Sequence, residues 1–318
     1  EVVVHRLRRP PVKSFMAGAL WIVVRSLWAV NPRCFDVVLS QGGNALNQTH
    51  TLVHACQAQR WQLTREVYWR LAPPALPERL LRTFWYWVTA GLEGRAVRRC
   101  APGRVLAVSA ELANQLSHYH RVPREAITVC ENGVDHERFR PAPGSPGRAV
   151  LRRELGLNAG DVLALFLGGL WLEKGAGYSV QALAHCPSTL HLCLAGRDDP
   201  TPFRRQAEAL GVADRLHFLP ATDRPWEYYQ AADVFVFPGH SEGFGLVAVE
   251  AAACGLPVLM TRIGVAERLI EDGVNGFLVD RDPTQIAARL SELVADPDRR
   301  RRMGERAHAA SLRFNWER

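Results

Sequence analysis

The chain has 318 residues, of which 47% are hydrophobic, and a formal net charge of +7. This length allows a large buried core and two domains. Its seven cysteines are scattered singly, which argues against a disulfide framework or a zinc site and favours a reducing compartment. The positive charge favours an anionic partner, either nucleotide phosphates or a membrane surface. Nucleic acid is disfavoured, because the arginines are dispersed and no nucleic-acid-binding motif occurs.

The first half of the chain alternates apolar runs with helical patterns, as α/β proteins with parallel sheets do. The predicted strands lie near residues 2–4, 37–39, 51–54, 104–108 and 127–130, and the predicted helices cover 14–30, 78–99 and 110–119. A turn at Asn132-Gly133 and a proline-rich stretch at 141–146 follow. We therefore predict one Rossmann-like domain over 1–142 and a second over 143–318.

Residues 15–24 form an apolar segment, but an arginine ends it well short of the roughly 20 residues that a membrane span requires. The segment predicts a buried or half-buried helix. The alternative is docking on an anionic lipid surface through the basic residues nearby. These are Arg6, Arg8, Arg9, Lys13 and Arg25. The aromatic run at 84–87 leaves the same two alternatives open.

The second half repeats the alternation of strands and helices. Strands are predicted at 162–167, 191–195, 216–218, 234–237, 258–260 and 277–279, and helices at 149–155, 177–184, 202–210, 225–231, 283–295 and 298–312. Two such domains joined by a short linker would form a cleft between the carboxyl ends of their sheets, where these folds bind ligands.

The stretch 238–257 carries the clearest functional signal. A glycine-rich turn that bears a carboxylate separates the strand at 234–237 from a short helix that stops at Gly255. The free N–H groups and the dipole of a helix N-terminus suit a phosphate. Glu242 and Glu250 are eight residues apart, close to two helical turns, so both carboxylates can line one pocket. A sugar nucleotide, which carries phosphates and hydroxyls, fits this combination.

Several motifs occur in order along residues 36–318. They are Asn132-Gly-Val-Asp135 with Phe139-Arg-Pro141, Leu172-Glu-Lys-Gly175, Ala232-Asp-Val-Phe-Val-Phe-Pro238, Glu242-x7-Glu250 and Glu271-Asp-Gly-Val-Asn-Gly-Phe-Leu278. Through them the chain resembles the retaining GT-B glycosyltransferases of family 4, which use nucleotide-sugar donors. The resemblance implies an α/β GT-B fold, in which an acceptor-side and a donor-binding Rossmann-like domain face each other across a cleft.

The resemblance also implies an activity. The expected enzyme is a hexosyltransferase that moves a sugar from a nucleoside diphosphate sugar, UDP rather than GDP, to a glycan, a lipid or a small molecule. No cofactor and no metal are expected, and Asp198-Asp199 is assigned to a loop. No second carboxylate is placed as a nucleophile, so front-side displacement is expected rather than a covalent glycosyl intermediate. A cytoplasmic location is expected, with peripheral contact at the inner face of the membrane.

The resemblance assigns catalytic roles to three residues. Glu242 would contact the hydroxyls of the donor sugar, Lys174 would neutralise the leaving diphosphate, and His54 would face the donor sugar at a strand end. His50 is the alternative histidine. The implied donor-binding residues, with Glu250 on the ribose, are Gly168, Gly169, Arg197, Gly243, Phe244, Gly245, Leu246 and Glu250.

Two departures from the family pattern qualify these roles. The family often has an arginine at the position of Gly169, so Arg197 or Arg262 would have to supply the second cation. The first strand with its glycine-rich loop and the last helix of the family are expected to be missing. Both departures favour one alternative, a non-catalytic or weakly active remnant that binds nucleotide sugars. A further alternative is an epimerase or a phosphorylase of the same architecture.

Overall fold

The computed structural model describes residues 34–42, 47–71 and 73–317, together with Trp21, residues 23–26, Trp28 and Asn31. The predicted strand at 2–4, the basic residues before position 14 and most of the predicted helix at 14–30 lie outside these residues. The chain divides into two compact units, Glu1–Glu131 and Asn132–Arg318.

The division falls eleven residues before the predicted boundary at 142, because the intervening segment packs within the second unit. The backbone N–H of Val134 donates to the carbonyl oxygen of Phe314 at 3.0 Å. The ring of Phe139 lies 6.0 Å from that of Tyr229 in an edge-on contact. The proline-rich stretch at 141–146 therefore follows residues that the second unit already holds.

The first unit contains a four-stranded parallel sheet in the order β1-β2-β3-β4. The strands are β1 Leu39–Gln41, β2 His50–Val53, β3 Val105–Ala107 and β4 Ile127–Val129. Helix α1, Gln57–Leu63, continues through a π-helical stretch, Thr64–Tyr68, to a last turn at Trp69–Leu71. Helices α2, Leu76–Arg99, and α3, Ala110–His120, follow. Ser109 caps α3 by accepting a hydrogen bond from the N–H of Leu112 at 3.1 Å.

The second unit contains a six-stranded parallel sheet. Its strands are β5 Val162–Leu167, β6 Leu190–Gly196, β7 Leu216–Pro220, β8 Val234–Phe237, β9 Val258–Met260 and β10 Gly276–Leu278. Its helices are α4 Pro146–Glu154, α5 Ala176–Leu183, α6 Thr201–Ala209, α7 Trp226–Ala231, α8 Leu246–Ala253, α9 Ala266–Leu269, α10 Pro283–Ala295 and α11 Pro297–Ser311. The two parallel sheets confirm the predicted α/β class.

The strand order of the second sheet is β7-β6-β5-β8-β9-β10. Counted from the first strand of the unit, this is the 3-2-1-4-5-6 order of the Rossmann fold. The two central strands, β5 and β8, are apolar and almost entirely buried, as strands covered by helices on both faces must be. The chain leaves β5 and β8 toward opposite halves of the sheet, so a crevice opens where their carboxyl ends meet.

Candidate functional site

Two segments meet at this crevice, which is the switch point between the two halves of the sheet. Residues 168–175 follow β5 and residues 238–245 follow β8. They are tied together by the backbone N–H of His240, which donates to the carbonyl oxygen of Glu173 at 3.0 Å. Gly175 has a φ of 78°, and a Cβ at this residue would overlap the carbonyl oxygen of Pro238. Glycine is therefore required for the two segments to approach this closely.

Lys174 and Glu242 form an ion pair across the two segments. The Nζ of Lys174 lies 2.8 Å from Oε2 of Glu242, and it donates to the carbonyl oxygen of Ser241 at 2.6 Å. The two side chains are 17% and 23% exposed, so both remain within reach of a ligand. Lys174 is one of only two lysines among the 39 lysine and arginine residues of the chain. The structure thus brings together two of the three predicted catalytic residues.

The predicted donor-binding residues from Gly243 to Leu246 lead into α8. Gly245 is the N-cap in the left-handed conformation, and the first helical bond runs from the N–H of Ala248 to the Gly245 carbonyl oxygen at 2.9 Å. The N–H groups before it lie at the positive end of the helix dipole. Phe244 points into the core, where its ring lies 6.0 Å from that of Phe314. Only the backbone of Phe244 is therefore available to a ligand.

Glu250 lies on α8, largely enclosed by protein. The hydroxyl of Tyr229 donates to Oε2 of Glu250 at 2.9 Å, and Tyr229 is completely buried. Burial raises the pKa of the Glu250 carboxyl to about 7, and the hydrogen bond from Tyr229 offsets part of this shift. Sequence reasoning missed Tyr229, because its partner lies 21 residues later and nothing in the local pattern of α7 marks it.

A cavity of about 220 Å³ opens at the carboxyl ends of β5, β6 and β7. The residues around it include Gly168, Gly169, Arg197, Ala221, Thr222 and Tyr228. Three of the predicted donor-binding residues therefore surround one cavity, together with the loop that follows β7. The hydroxyl of Tyr228 holds this loop by donating to the carbonyl oxygen of Pro220 at 3.1 Å.

The turn after Gly169 is shaped by Asp198, which the sequence placed in a loop. Its two carboxylate oxygens accept hydrogen bonds from the N–H groups of Leu170 and Trp171, both at 3.1 Å. Leu170 has a φ of 57°, an unfavourable conformation for leucine that these bonds stabilise. Asp198 thus acts within the protein as an acceptor for two backbone groups.

The two candidate second cations differ in position. Arg197 follows β6 and borders the cavity beside Gly169. The side chain of Arg262 is 53% exposed and lies 3.6 Å from the Glu267 carboxylate. Of the two, only Arg197 is among the residues that surround this cavity.

His54 lies in the first unit, directly after β2, and is exposed. His50 is the first residue of β2, so it lies at the amino end of the strand, and its Nδ1 is 2.9 Å from the hydroxyl of Thr49. Ligands of parallel sheets bind at the carboxyl ends of the strands. His54 is therefore at the appropriate edge of its sheet and His50 is not.

Within the described part of the chain, every helix is too short or too polar to cross a membrane.

The family described as glycosyl transferases group 1 matches residues 147–310, just over half of the chain. The chain belongs to this family. Among similar proteins, the D-inositol 3-phosphate glycosyltransferase of Xylanimonas cellulosilytica is 40% identical over 227 residues, which are 68% of this chain and 54% of that protein. The corresponding protein of Thermobispora bispora is 35% identical over 229 residues, 67% of this chain and 53% of that protein. This chain thus spans about half the length of these curated relatives.

Solved structures of similar proteins identify the fold of this chain. WaaG, a glycosyltransferase involved in lipopolysaccharide biosynthesis, has a TM-score of 0.76 at 20% identity, covering 96% of this chain and 82% of that one. Anabaena HepE in complex with UDP-glucose has a TM-score of 0.66 at 25% identity, covering 85% and 75%. These comparisons confirm the predicted GT-B fold and the resemblance on which it was based.

Proposed function

We propose that the chain transfers a hexose from a nucleoside diphosphate sugar to an acceptor, with retention at the anomeric carbon and without a metal. The observation that carries the proposal is the 2.8 Å pair of Lys174 and Glu242 at the switch point of a Rossmann sheet. A cation, a carboxylate and a helix N-terminus lie together there. This combination matches the diphosphate and the hydroxyls of one donor.

Each part of the donor has a candidate partner. The ammonium of Lys174 and the first N–H groups of α8 would hold the diphosphate, and Glu242 would accept from sugar hydroxyls. Glu250 would accept from the ribose hydroxyls, which would replace some of the polar contacts that its burial removes. The cavity beside Gly169 is large enough to take part of the nucleoside.

Retention would follow from front-side displacement. The leaving diphosphate would accept the proton of the acceptor hydroxyl, while Lys174 and the helix N-terminus stabilise the negative charge that develops on it. His54 would hydrogen-bond a hydroxyl of the donor sugar; the alternative is that its backbone carbonyl stabilises positive character at the anomeric carbon. This route needs no protein nucleophile, so no residue has to form a glycosyl intermediate.

The nucleotide and the acceptor are proposed from the relatives. UDP is favoured because HepE was solved with UDP-glucose, and because that protein is 25% identical to this chain. The curated relatives are named as D-inositol 3-phosphate glycosyltransferases, which favours a polyol or a lipid built on one as the acceptor.

A lipid acceptor would agree with the surface of α2. Leu80, Phe84 and Trp87 are 63%, 56% and 73% exposed, and Arg79 and Arg82 lie on the same helix. Apolar side chains next to cations suit an anionic bilayer. Sedimentation with vesicles that contain phosphatidylglycerol should capture the protein, and neutral vesicles should capture less. Equal recovery from both would contradict a charge-assisted contact.

The function is tested first by thermal shift with UDP, GDP, ADP and TDP, on the natural chain and on Glu250→Gln. A ligand that binds only the folded state raises its melting temperature. We expect a shift with UDP that decreases in the variant. No shift with any nucleotide would contradict the donor assignment.

Turnover then separates the enzyme from its alternatives. We expect UDP release from UDP-glucose, faster with an acceptor and unchanged by EDTA. Binding without turnover would favour the nucleotide-sugar-binding remnant. Conversion of the donor to an isomer without an acceptor would identify an epimerase, and an absorbance band of pyridoxal phosphate would identify a phosphorylase.

A further inference from the structure

The loop that carries His54 is only three residues long, because β2 ends at Val53 and α1 begins at Gln57. Its near end is tied to the sheet by the N–H of Val108, which donates to the carbonyl oxygen of Val53 at 3.3 Å. His54 itself is exposed, whereas Cys56, two residues later, is 1% exposed. The chain therefore re-enters the interior within two residues of His54. The position of the far, C-terminal end of the loop depends on the groups that bind it there.

A buried carboxylate binds that far end. Oε2 of Glu93, on α2, accepts a hydrogen bond from the N–H of Gln57 at 2.9 Å. The same oxygen lies 2.8 Å from Nε2 of His120, the last residue of α3. The side chains of Glu93 and His120 are 2% and 5% exposed. Cys56 offers no side-chain cap to α1, so Glu93 supplies the acceptor from another helix.

Gly94 makes room for this arrangement. A Cβ at Gly94 would lie 2.8 Å from Nδ1 of His120, closer than van der Waals contact permits. The imidazole can therefore reach Glu93 only because the next residue has no side chain. The pair Glu93-Gly94 thus provides both the acceptor and the space for its partner.

Ligand atoms of Cys56, Glu93 and His120 lie within 4.8 Å of one another, so the group could also hold a metal ion. The hydrogen bonds argue for an anchor instead. The carboxylate oxygen that faces His120 is already shared with a backbone N–H. Burial, and then the charge of Glu93, raise the pKa of the Cys56 thiol to about 12, which keeps it neutral. The contacts form a closed polar network around the end of the loop.

We propose that Glu93, itself oriented by His120, is a positioning residue for His54. It fixes the far end of the loop 54–56 and thereby the place from which His54 acts. The inference rests on the proposed role of His54 in transfer. It has a kinetic consequence, because displacing a catalytic group by about 1 Å costs up to roughly 100-fold in rate.

The anchor is tested without reference to activity in Glu93→Gln and Gly94→Ala. The first removes the charge of the acceptor, and the second displaces the imidazole. We expect faster hydrogen exchange over residues 54–57 and alkylation of Cys56 by iodoacetamide, both mapped by mass spectrometry. Cys193, fully buried in the second unit, serves as an internal control and should stay protected. Unchanged exchange at 54–57 in both variants would overturn the proposal.

The effect on His54 is tested by a double-mutant cycle on UDP-glucose turnover. Glu93→Gln should lower kcat about tenfold, with the Kd for UDP unchanged, because the proposed nucleotide site lies in the other unit. On a His54→Ala background the same substitution should have little further effect. Additive losses would show that Glu93 acts elsewhere and would overturn the inference. Normal turnover by His54→Ala alone would instead remove His54 from the proposed function, and the positioning role with it.

Discussion

The ammonium of Lys174 and the carboxylate of Glu242 are 2.8 Å apart. The two residues are nevertheless distant in sequence, because Ser241, which precedes Glu242 and also accepts a hydrogen bond from Lys174, lies 67 residues after the lysine. The sheet topology explains this proximity, since β5 and β8 are neighbours and each residue lies in the segment that follows one of them. The pair is mostly buried, with side chains 17% and 23% exposed, but both charged groups keep a surface that a ligand can reach. Its two charges are therefore available to a charged ligand.

Replacing Lys174 should affect turnover far more than folding. We expect Lys174→Ala to lower kcat by about 100-fold or more, as the loss of one preorganised donor does, and to lower the melting temperature to a lesser degree, because the mostly buried Glu242 loses its cation. Glu242→Gln breaks the same ion pair and keeps the ammonium, so it is the matched control for stability; it is not a control for turnover, because Glu242 is itself proposed to bind the donor sugar. A similar melting temperature with full activity in Lys174→Ala would contradict the role of the lysine.

The scarcity of lysine allows a direct observation of this group. Reductive methylation with ¹³C-formaldehyde labels only two side chains, those of Lys13 and Lys174, besides the terminal amine. We expect UDP to shift one dimethyl-lysine NMR signal, and that signal should be absent from Lys174→Ala. No shift at a saturating concentration of UDP would place the diphosphate elsewhere.

The raised pKa of Glu250 predicts a pH-dependent stability. Burial moves the pKa of the folded state from 4.5 to about 7, so the protonated form is favoured in the folded protein. The contribution of neutral Glu250 to the free energy of unfolding is fully present below pH 4.5, and it is lost as the pH rises from 4.5 through 7. The slope is at most roughly 1.4 kcal/mol per pH unit within that window.

Glu250→Gln removes the titration and keeps the shape. Urea unfolding between pH 4.5 and 8 should therefore show the variant gaining stability relative to the natural chain as the pH rises. Tyr229→Phe should act in the opposite direction, because it removes the hydrogen bond that favours the carboxylate. Parallel stability curves for Glu250→Gln and the natural chain would contradict a raised pKa.

The sequence predicted best what depends on local apolar pattern. The strands at 162–167 and 234–237 have the predicted bounds, because continuous buried runs flanked by glycine or proline leave few alternatives. Helix α1 was missed, because none of its residues is fully buried and it shows no apolar stripe. The acid that holds its first N–H is 36 residues away, a contact that only the tertiary fold creates.

At the candidate site, too, the sequence reveals residues in local motifs but not contacts between distant segments. Glu242, Glu250 and Lys174 were found through motifs, whereas Tyr229 and Asp198 act through contacts between distant segments. The domain boundary also depended on such contacts. The turn at 132–133 and the prolines at 141–146 both suit a linker, and the packing of Val134 and Phe139 on the second unit distinguishes them.

The two arginines proposed as the second cation can be separated by affinity. Arg197→Ala should weaken UDP binding about tenfold, which corresponds to the loss of one charge-assisted hydrogen bond. Arg262→Ala should leave the affinity unchanged, because Arg262 is exposed and pairs with Glu267. Isothermal titration of both variants provides the comparison. The reverse order of effects would assign the second cation to Arg262.

The close approach of the segments after β5 and β8 can be tested with a matched pair of glycines. Gly175 and Gly211 have similar φ values, 78° and 69°, but only Gly175 faces another backbone, at Pro238. Gly211→Ala should cost roughly 1–2 kcal/mol in unfolding free energy, the penalty for a left-handed residue with a Cβ. Gly175→Ala carries the same penalty and in addition forces the carbonyl of Pro238 away, so it should cost more and also reduce turnover by displacing Lys174. Equal losses of stability, with activity retained in both variants, would mean that the two segments move apart without disturbing the site.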